Sequence, residues 1–391
     1  MNLNDYDYKY DNSVIASYPL KKRDQSKLLI YKNGNITESK FDKLTDHLPK
    51  KTILFFNNTK VIKARIYLEK KSGAKIELLL IKKISNDYSI NNKTKYKNNV
   101  IYECLIRNNK KWKVHNEIFI TKKEKKIRVI KIDVNKILFS WNENIKWNQI
   151  VKLIGKIPIP PYLNRKSEKI DEKIYQTIYS KNEGAIAAPT AGLHFTKKMF
   201  EKMNKMKMNL DYFTLHVGTG TFDPIKKENI IAHKMHSENV IFTKKNLKNI
   251  LSNKSITAVG TTSLRILESI YWFGVQLYNK KNKKKINIKN MEPYEKNKNL
   301  PNKKQSINKV IDYMNTNNLD IIKGKTSIFI FPGYKFMICD QLITNFHFPK
   351  STLILLIASF IGNNWKKVYK FALKNNYRFF SYGDSSLLFK E

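Results

Sequence analysis

Cysteine is nearly absent: the 391 residues contain two, Cys104 and Cys339. Two distant cysteines exclude a disulfide framework and a Cys-x-x-Cys zinc site, and they suit a reducing compartment. Long apolar runs are also missing. The most apolar stretch, residues 353–361, falls well short of the roughly 20 residues a membrane span needs. Residues 1–11 are polar and acidic, unlike a signal peptide. These absences predict a soluble, cytoplasmic chain without a membrane anchor. No Gly-x-Gly-x-x-Gly follows a strand, and neither a P-loop nor a Gly-x-Ser-x-Gly elbow occurs, so no signature supports those nucleotide or nucleophile sites.

Acidic residues are outnumbered, 32 against 74 Lys and Arg, for a formal net charge of +42. Such a balance fits an acidic partner, with nucleic acid the foremost choice. Codon composition offers a second source. Lys, Asn and Ile dominate, as A/T-rich codons dictate, and Arg, the residue suited to bidentate phosphate contacts, is sparse. The charge is compatible with an RNA partner without establishing one.

What is present divides the chain. The length suits two domains of roughly 100–200 residues each. Residues 52–56 read as a buried strand. From 63 to 151, short β-branched runs (76–81, 100–106, 112–120, 127–134 and 137–141) alternate with polar clusters, predicting a small all-β barrel inserted in the chain. Residues 1–62 and 152–391 would then form the main domain. The fold class expected is α+β: a larger mixed α/β domain with a β-barrel-like core, and the smaller barrel. In the larger domain the spacing predicts a helix over 197–208, capped by Thr196, stapled by Phe195 and Phe200, with Met199, Met203 and Met206 on one core-facing stripe. It predicts an alternating strand at 212–217 that ends in a Gly218-Thr219-Gly220 turn. A strand at 256–259 leads through Gly260-Thr261-Thr262-Ser263 into a helix over 264–272. That turn suits either an anion site or a capped turn. Residues 279–323, rich in Lys and Asn, read as a solvated, partly flexible insertion, helical only at 307–314. Strand 327–331 turns at Pro332-Gly333 into a hairpin partner at 335–339. Helices at 352–361, capped by Ser351, and 365–373 complete the reading.

Five of the seven histidines, His194, His216, His233, His236 and His347, sit beside Gly, Pro, Thr and Asn in the second half, settings that favour function over packing. His233-Lys-Met-His236 with His216 could hold zinc, but without His-Glu-x-x-His or a cysteine cluster no metal is expected. A metal-dependent hydrolase using these three, and a non-catalytic RNA-binding protein, remain the alternatives from residues alone.

Several stretches together resemble one family. They are Ala187-Ala-Pro-Thr-Ala-Gly-Leu-His194, Thr214-Leu-His-Val-Gly218, His233-Lys-Met-His-Ser-Glu238, Ala258-Val-Gly-Thr-Thr-Ser-Leu-Arg265-Ile-Leu-Glu-Ser269, Pro332-Gly-Tyr-Lys-Phe336, Asp340-Gln-Leu-Ile-Thr-Asn-Phe-His-Phe-Pro-Lys-Ser-Thr-Leu353 and Tyr377-Arg-Phe-Phe-Ser-Tyr-Gly-Asp384. Tyr18-Pro-Leu-Lys-Lys-Arg-Asp24, Asn57-Asn-Thr-Lys-Val-Ile-Lys-Ala-Arg65 and Gly155-Lys-Ile-Pro-Ile-Pro-Pro-Tyr162 join them. In order and over nearly the whole chain, these resemble the S-adenosylmethionine:tRNA ribosyltransferase-isomerases of queuosine biosynthesis. Asn58, Lys60, Lys63 and Thr219 depart from the usual pattern.

The resemblance implies a reaction. The ribosyl part of S-adenosylmethionine passes to 7-aminomethyl-7-deazaguanine at the tRNA wobble position and rearranges to epoxyqueuosine, with release of adenine and methionine. S-adenosylmethionine is a consumed substrate, no further cofactor is implied, and a monomer is expected. The sulfonium acidifies the adjacent 5′ carbon, so a base is needed there, and a histidine suits the role for about 10²–10⁴ in rate. His194 and His347 are the expected acid and base, unranked, with His216 in reserve. Asp340, Asn345 and Glu238 would orient them or bind ribose hydroxyls. Thr261, Thr262, Ser263 and Arg265 would hold a polar end of the donor, and Arg378, Tyr382 and Asp384 would bind substrate or finish the pocket.

Overall fold

Apolar runs and apolar alternation produce two large sheets of different kinds, one in each of two compact units. The structure, a computed structural model, describes residues 1–85, 98–218, 225, 229–280, 285–295 and 300–391. The Thr219-Gly220 part of the expected turn therefore lies outside the described residues, as do two pieces of the Lys/Asn-rich stretch. One unit comprises Met1–Lys60, Pro161–Arg165 and Ile174–Glu391; the other comprises Val61–Pro160 and Lys166–Lys173.

The first unit carries a ten-stranded mixed sheet. Its order is Asn287–Ile288, Ile321–Thr326, Glu238–Thr243, Asn209–His216, Thr52–Asn57, Ser255–Val259, Gln341–Asn345, Ser385–Phe389, Lys27–Lys32, Asn35–Lys40. The four strands from Asn209–His216 to Gln341–Asn345 run parallel. Parallel strands are covered on both faces and so read as continuous apolar runs, and Thr52–Asn57 is buried at all six positions. The expected barrel-like core is corrected here: the ladder has two ends, so the sheet is open. The edge strand Asn35–Lys40 shows why, since its Asn-Ile-Thr-Glu-Ser-Lys sequence is largely solvated and charged, which discourages further pairing.

The second unit carries a seven-stranded antiparallel sheet. Its order is Gly155–Lys156, Arg65–Glu69, Lys75–Ser85, Asn98–Arg107, Lys136–Trp141, Lys125–Lys131, Glu117–Lys122. Alternate residues, such as Ile66 and Leu68, Ile76, Leu78 and Leu80, or Ile127 and Val129, are buried, as expected of a sheet with one core face. Trp147, from the helix Trp147–Ile154, packs on Tyr102, Phe139 and Trp141. The sheet curls until Arg65–Glu69 meets Glu117–Lys122, yet among the described residues no ladder joins its ends, so it is a half-barrel where the sequence predicts a barrel. The run at 112–120 is strand only from Glu117. Trp112 precedes it, its indole N–H donating to the Asn116 carbonyl at 3.2 Å.

Three other expectations change. First, 327–339 forms no hairpin. The strand there is Ile321–Thr326, and the amides of Met337, Ile338 and Cys339 donate to the buried Glu268 carboxylate at 3.0–3.1 Å. Tyr334 Oη donates to it as well. A carboxylate that collects these donors removes them from any β ladder. Second, the helix after Thr196 ends at Lys205, which leaves Met206 half exposed while Met199 and Met203 stay buried. Third, the described part of 279–323 belongs to the core. Ile286 and Ile288 are buried, as are Ile307, Val310 and Met314 of the helix Lys303–Thr316. Gly324 is tightly covered, because an added Cβ would fall 1.3 Å from Ile286 Cγ2.

Deleting residues 279–305 therefore removes Ile286 and Ile288 from the core, about 1.5–3 kcal/mol each from burial alone. The urea midpoint of the deletion variant should fall well below that of the full chain, or folding should fail. An unchanged midpoint would contradict the packing described.

Candidate active site

In parallel α/β sheets, ligands bind outside the carboxyl ends of the strands, and this sheet leaves a cavity there. The cavity measures about 430 Å³. Val217 follows Asn209–His216, Gly260 follows Ser255–Val259, and residues 346–349 follow Gln341–Asn345; all of them line it. Gly260 adopts φ +86°, a conformation that suits glycine, and turns the strand directly into the helix Thr261–Tyr278. The first turn of that helix opens on the cavity through Thr261 and Thr262. Residues 187–191 close another side.

One wall is aromatic. Phe348 and Phe380 stack with ring centroids 3.6 Å apart, and Tyr162 packs on both at 4.9 and 5.3 Å. Tyr162 Oη is hydrogen-bonded to Ser381 Oγ. His347 lies in the same wall, its Nε2 2.7 Å from Thr344 Oγ1. Its backbone N–H donates to Tyr369 Oη at 3.0 Å, and its carbonyl accepts from Tyr8 Oη. Burial pushes the His347 pKa down to about 3, so the imidazole is neutral near pH 7.

His194 lies behind this wall, beside a smaller cavity lined also by Arg23, Ser26, Arg378, Ser381 and Tyr382. Its Nδ1 is 2.8 Å from Ser26 Oγ, and its ring lies 4.8 Å from that of Phe41. Burial pushes its pKa down to about 4, with Asp384 opposing that and Arg378 adding to it. Asn345 connects the two places. It lines the main cavity, donates from Nδ2 to the Phe380 carbonyl at 2.9 Å, and acts to raise the pKa of His194 against the effect of burial. Asp384 accepts from the Lys27 and Arg378 amides and from Arg378 Nη2 at 2.8–3.1 Å. Arg378 and Asp384 thus fasten the 378–384 turn that carries Phe380 and Ser381.

Arg265, one helical turn beyond Thr261, pairs through Nη1 with Glu238 Oε2. Glu238 Oε1 lies 3.2 Å from His236 Nε2. Burial acts to raise the Glu238 carboxyl, but Arg265 and His236 outweigh it and hold the group below its ordinary pKa.

Of the expected site residues, Thr261, Thr262, Asn345 and His347 line the main cavity, whereas Asp340, Ser263 and His216 are engaged elsewhere. Asp340 precedes Gln341–Asn345 at the end opposite the cavity, where its carboxylate accepts from the Ile256 amide at 3.0 Å and faces Lys390 Nζ at 3.6 Å. Ser263 Oγ donates back to the Val259 carbonyl at 2.8 Å. His216 sits against Thr59 Oγ1 at 2.9 Å and under Gly184; burial lowers its pKa. His233 packs on Phe329. Among the described residues, no three His, Cys, Asp or Glu side chains cluster as a metal site. Sequence reasoning missed Tyr162, Phe348, Phe380 and Ser26 as site residues. The first three lie within the motif stretches, where aromatics beside Pro and His gave the available signal; Ser26 gave none.

The two depressed histidines make stability depend on pH. A folded-state pKa below the unfolded value of about 6.5 means the unfolded chain takes up protons first. The stabilisation is complete above that value and is lost as pH falls toward 4 and then 3. The urea midpoint should decline between about pH 6.5 and 4, and His347→Gln should flatten the decline. An identical slope in the variant would contradict the burial of this ring.

A sequence model of the family described as queuosine biosynthesis protein matches residues 3–388. The S-adenosylmethionine:tRNA ribosyltransferase-isomerase of Buchnera aphidicola subsp. Schizaphis graminum is 39% identical over 394 residues, covering 98% of this chain and 96% of its own. That of Francisella philomiragia subsp. philomiragia is 34% identical over 396 residues, covering 100% of both. That of Sulfurihydrogenibium sp. is 36% identical over 396 residues, covering 99% and 100%. A solved S-adenosylmethionine tRNA ribosyltransferase from Thermotoga maritima aligns with 98% of this chain and 99% of its own, at 24% identity and a TM-score of 0.47. With its family matched from end to end and full-length relatives above 30% identity, the chain belongs to the queuosine biosynthesis protein family, among the S-adenosylmethionine:tRNA ribosyltransferase-isomerases.

Proposed function

We propose that this enzyme transfers the ribosyl part of S-adenosylmethionine to 7-aminomethyl-7-deazaguanine at the wobble position of tRNA and isomerises it. The products are epoxyqueuosine-tRNA, adenine and methionine. The observation that carries the reading is the cavity at the strand ends, which sets an aromatic wall, a neutral histidine and a helix N-terminus around one space large enough for a nucleoside.

The proposal gives each group a task. His347, neutral and in the cavity wall, accepts the proton from the 5′ carbon next to the sulfonium. The Tyr162, Phe348 and Phe380 rings offer π faces to a purine or to the sulfonium charge. Asn345 binds a ribose hydroxyl and holds His194, which remains the candidate for protonating the departing adenine. The target base enters from a single-stranded anticodon loop, splayed out of its stack, while Lys and Arg side chains hold the phosphates. S-adenosylmethionine is consumed, and the proposal needs no metal and no further cofactor. We place the enzyme in the cytoplasm as a monomer; among the described residues no helix is long and apolar enough to cross a membrane.

Stoichiometry tests the reaction. With tRNA carrying the precursor base, each modified nucleoside should appear with one adenine and one methionine, and without S-adenosylhomocysteine. Formation of S-adenosylhomocysteine would mean methyl transfer and would overturn the proposal. His347→Ala should lower the single-turnover rate by about 10²-fold or more with tRNA affinity little changed. A near-normal rate would remove His347 from the chemistry.

A further inference from the structure

Beside the main cavity lies a second, of about 20 Å³, bounded in part by Arg265, His236 and Phe329. The two share Thr261, Thr262 and Leu353 as a common wall. Three independent features of the small cavity favour an anion. Arg265 is only 6% exposed, and while Glu238 takes its Nη1, its Nε and Nη2 have no hydrogen-bond partner among the described residues. Thr262 Oγ1 is also buried and unpartnered there. The 18-residue helix begins at the same wall without a side-chain cap, so its first amides and the positive end of its dipole remain available. Buried donors without acceptors are uncommon in folded proteins and call for a ligand or solvent partner.

Size and chemistry restrict that partner. The cavity admits a terminal group of a few atoms. A backbone phosphodiester must leave a site in two directions, whereas a carboxylate ends its chain. Ile328, Ile330 and Leu356 make much of the remaining wall apolar, and its other polar members, Thr352 and His236, are uncharged or cationic, so no carboxylate lines it to hold an ammonium group. Arg offers its free nitrogens as a fork, which matches two carboxylate oxygens.

Resting on the proposed use of S-adenosylmethionine, we infer that the second cavity is the carboxylate subsite for the donor's amino-acid tail. Arg265 Nε and Nη2, Thr262 Oγ1 and the first-turn amides hold the carboxylate, and the nucleoside occupies the main cavity. The tail is thereby fixed away from the reacting carbons, where its binding can position the sulfonium. The site then discriminates between donors by their free carboxylate.

Calorimetric titration of the full chain tests this with three ligands: S-adenosylmethionine, its decarboxylated analogue, and 5′-methylthioadenosine, which lacks the tail. The unsubstituted protein should bind S-adenosylmethionine at least tenfold more tightly than the decarboxylated analogue. Thr262→Val, which keeps the shape, and Arg265→Lys, which keeps a charge for Glu238 but loses the fork, should each shrink that ratio at least threefold. Affinity for 5′-methylthioadenosine should stay within twofold, which also reports an intact fold. Equal affinities for the two sulfonium ligands in the unsubstituted protein would overturn the subsite alone, as would a ratio unchanged in both variants. Failure of all three ligands to bind would overturn the S-adenosylmethionine reading itself.

Discussion

Parallel pairing of Ser255–Val259 with Gln341–Asn345 sets the level at which everything else in the site is built. Val259 is in register with Ile343, and the Gly260 amide extends the ladder by donating to the Ile343 carbonyl at 2.8 Å. The glycine turn and the His347 loop therefore leave the sheet side by side. Thr52–Asn57, parallel to Ser255–Val259 on its other side and to Asn209–His216 beyond it, brings Val217 to the same end. A ladder shifted by one residue would invert every side chain beyond it and would carry the glycine turn out of step with the His347 loop.

Buried charge fixes the connections that the ladder does not. Glu268 lies on the same helix as Arg265, one turn further on, and is fully buried; burial raises its pKa while three amides and Tyr334 act against that. It ties residues 334–339 to the helix just before they enter the strand Gln341–Asn345. Trp272 Nε1 extends the network by donating to Tyr334 Oη at 2.9 Å. Removing one partner from such a network leaves others desolvated and unpaired, which costs more than the lost bond. The helix thus serves the site at one end and anchors its supporting loop along its length.

Much of this was legible in the sequence, and the limits have physical causes. Continuous apolar runs disclosed the central strands, and Gly260-Thr-Thr after such a run disclosed the turn into a helix. Thr196 and Ser351 announced their helices through cap chemistry, and both cap as expected. The 327–339 hairpin misread a real signal: Pro332-Gly333 does turn the chain, but the amides that follow belong to a carboxylate 69–71 residues away in sequence. Composition misled at 279–323, where Lys and Asn outnumber the few isoleucines that are buried. In the site, Asp340 and Ser263 share motifs with Asn345 and Thr262, yet strand length and helical pitch direct them elsewhere. A motif names a neighbourhood, and only backbone geometry says which of its side chains reaches the cavity.

The central claim is that the cavity at the strand ends holds the nucleoside of the donor. Photolabelling with an azido-adenine analogue of S-adenosylmethionine, followed by peptide mapping, tests it directly. The account predicts label on peptides containing residues 187–191, 344–349 or 380–381, with protection by excess S-adenosylmethionine. Protectable label confined to the half-barrel residues 61–160 would contradict it.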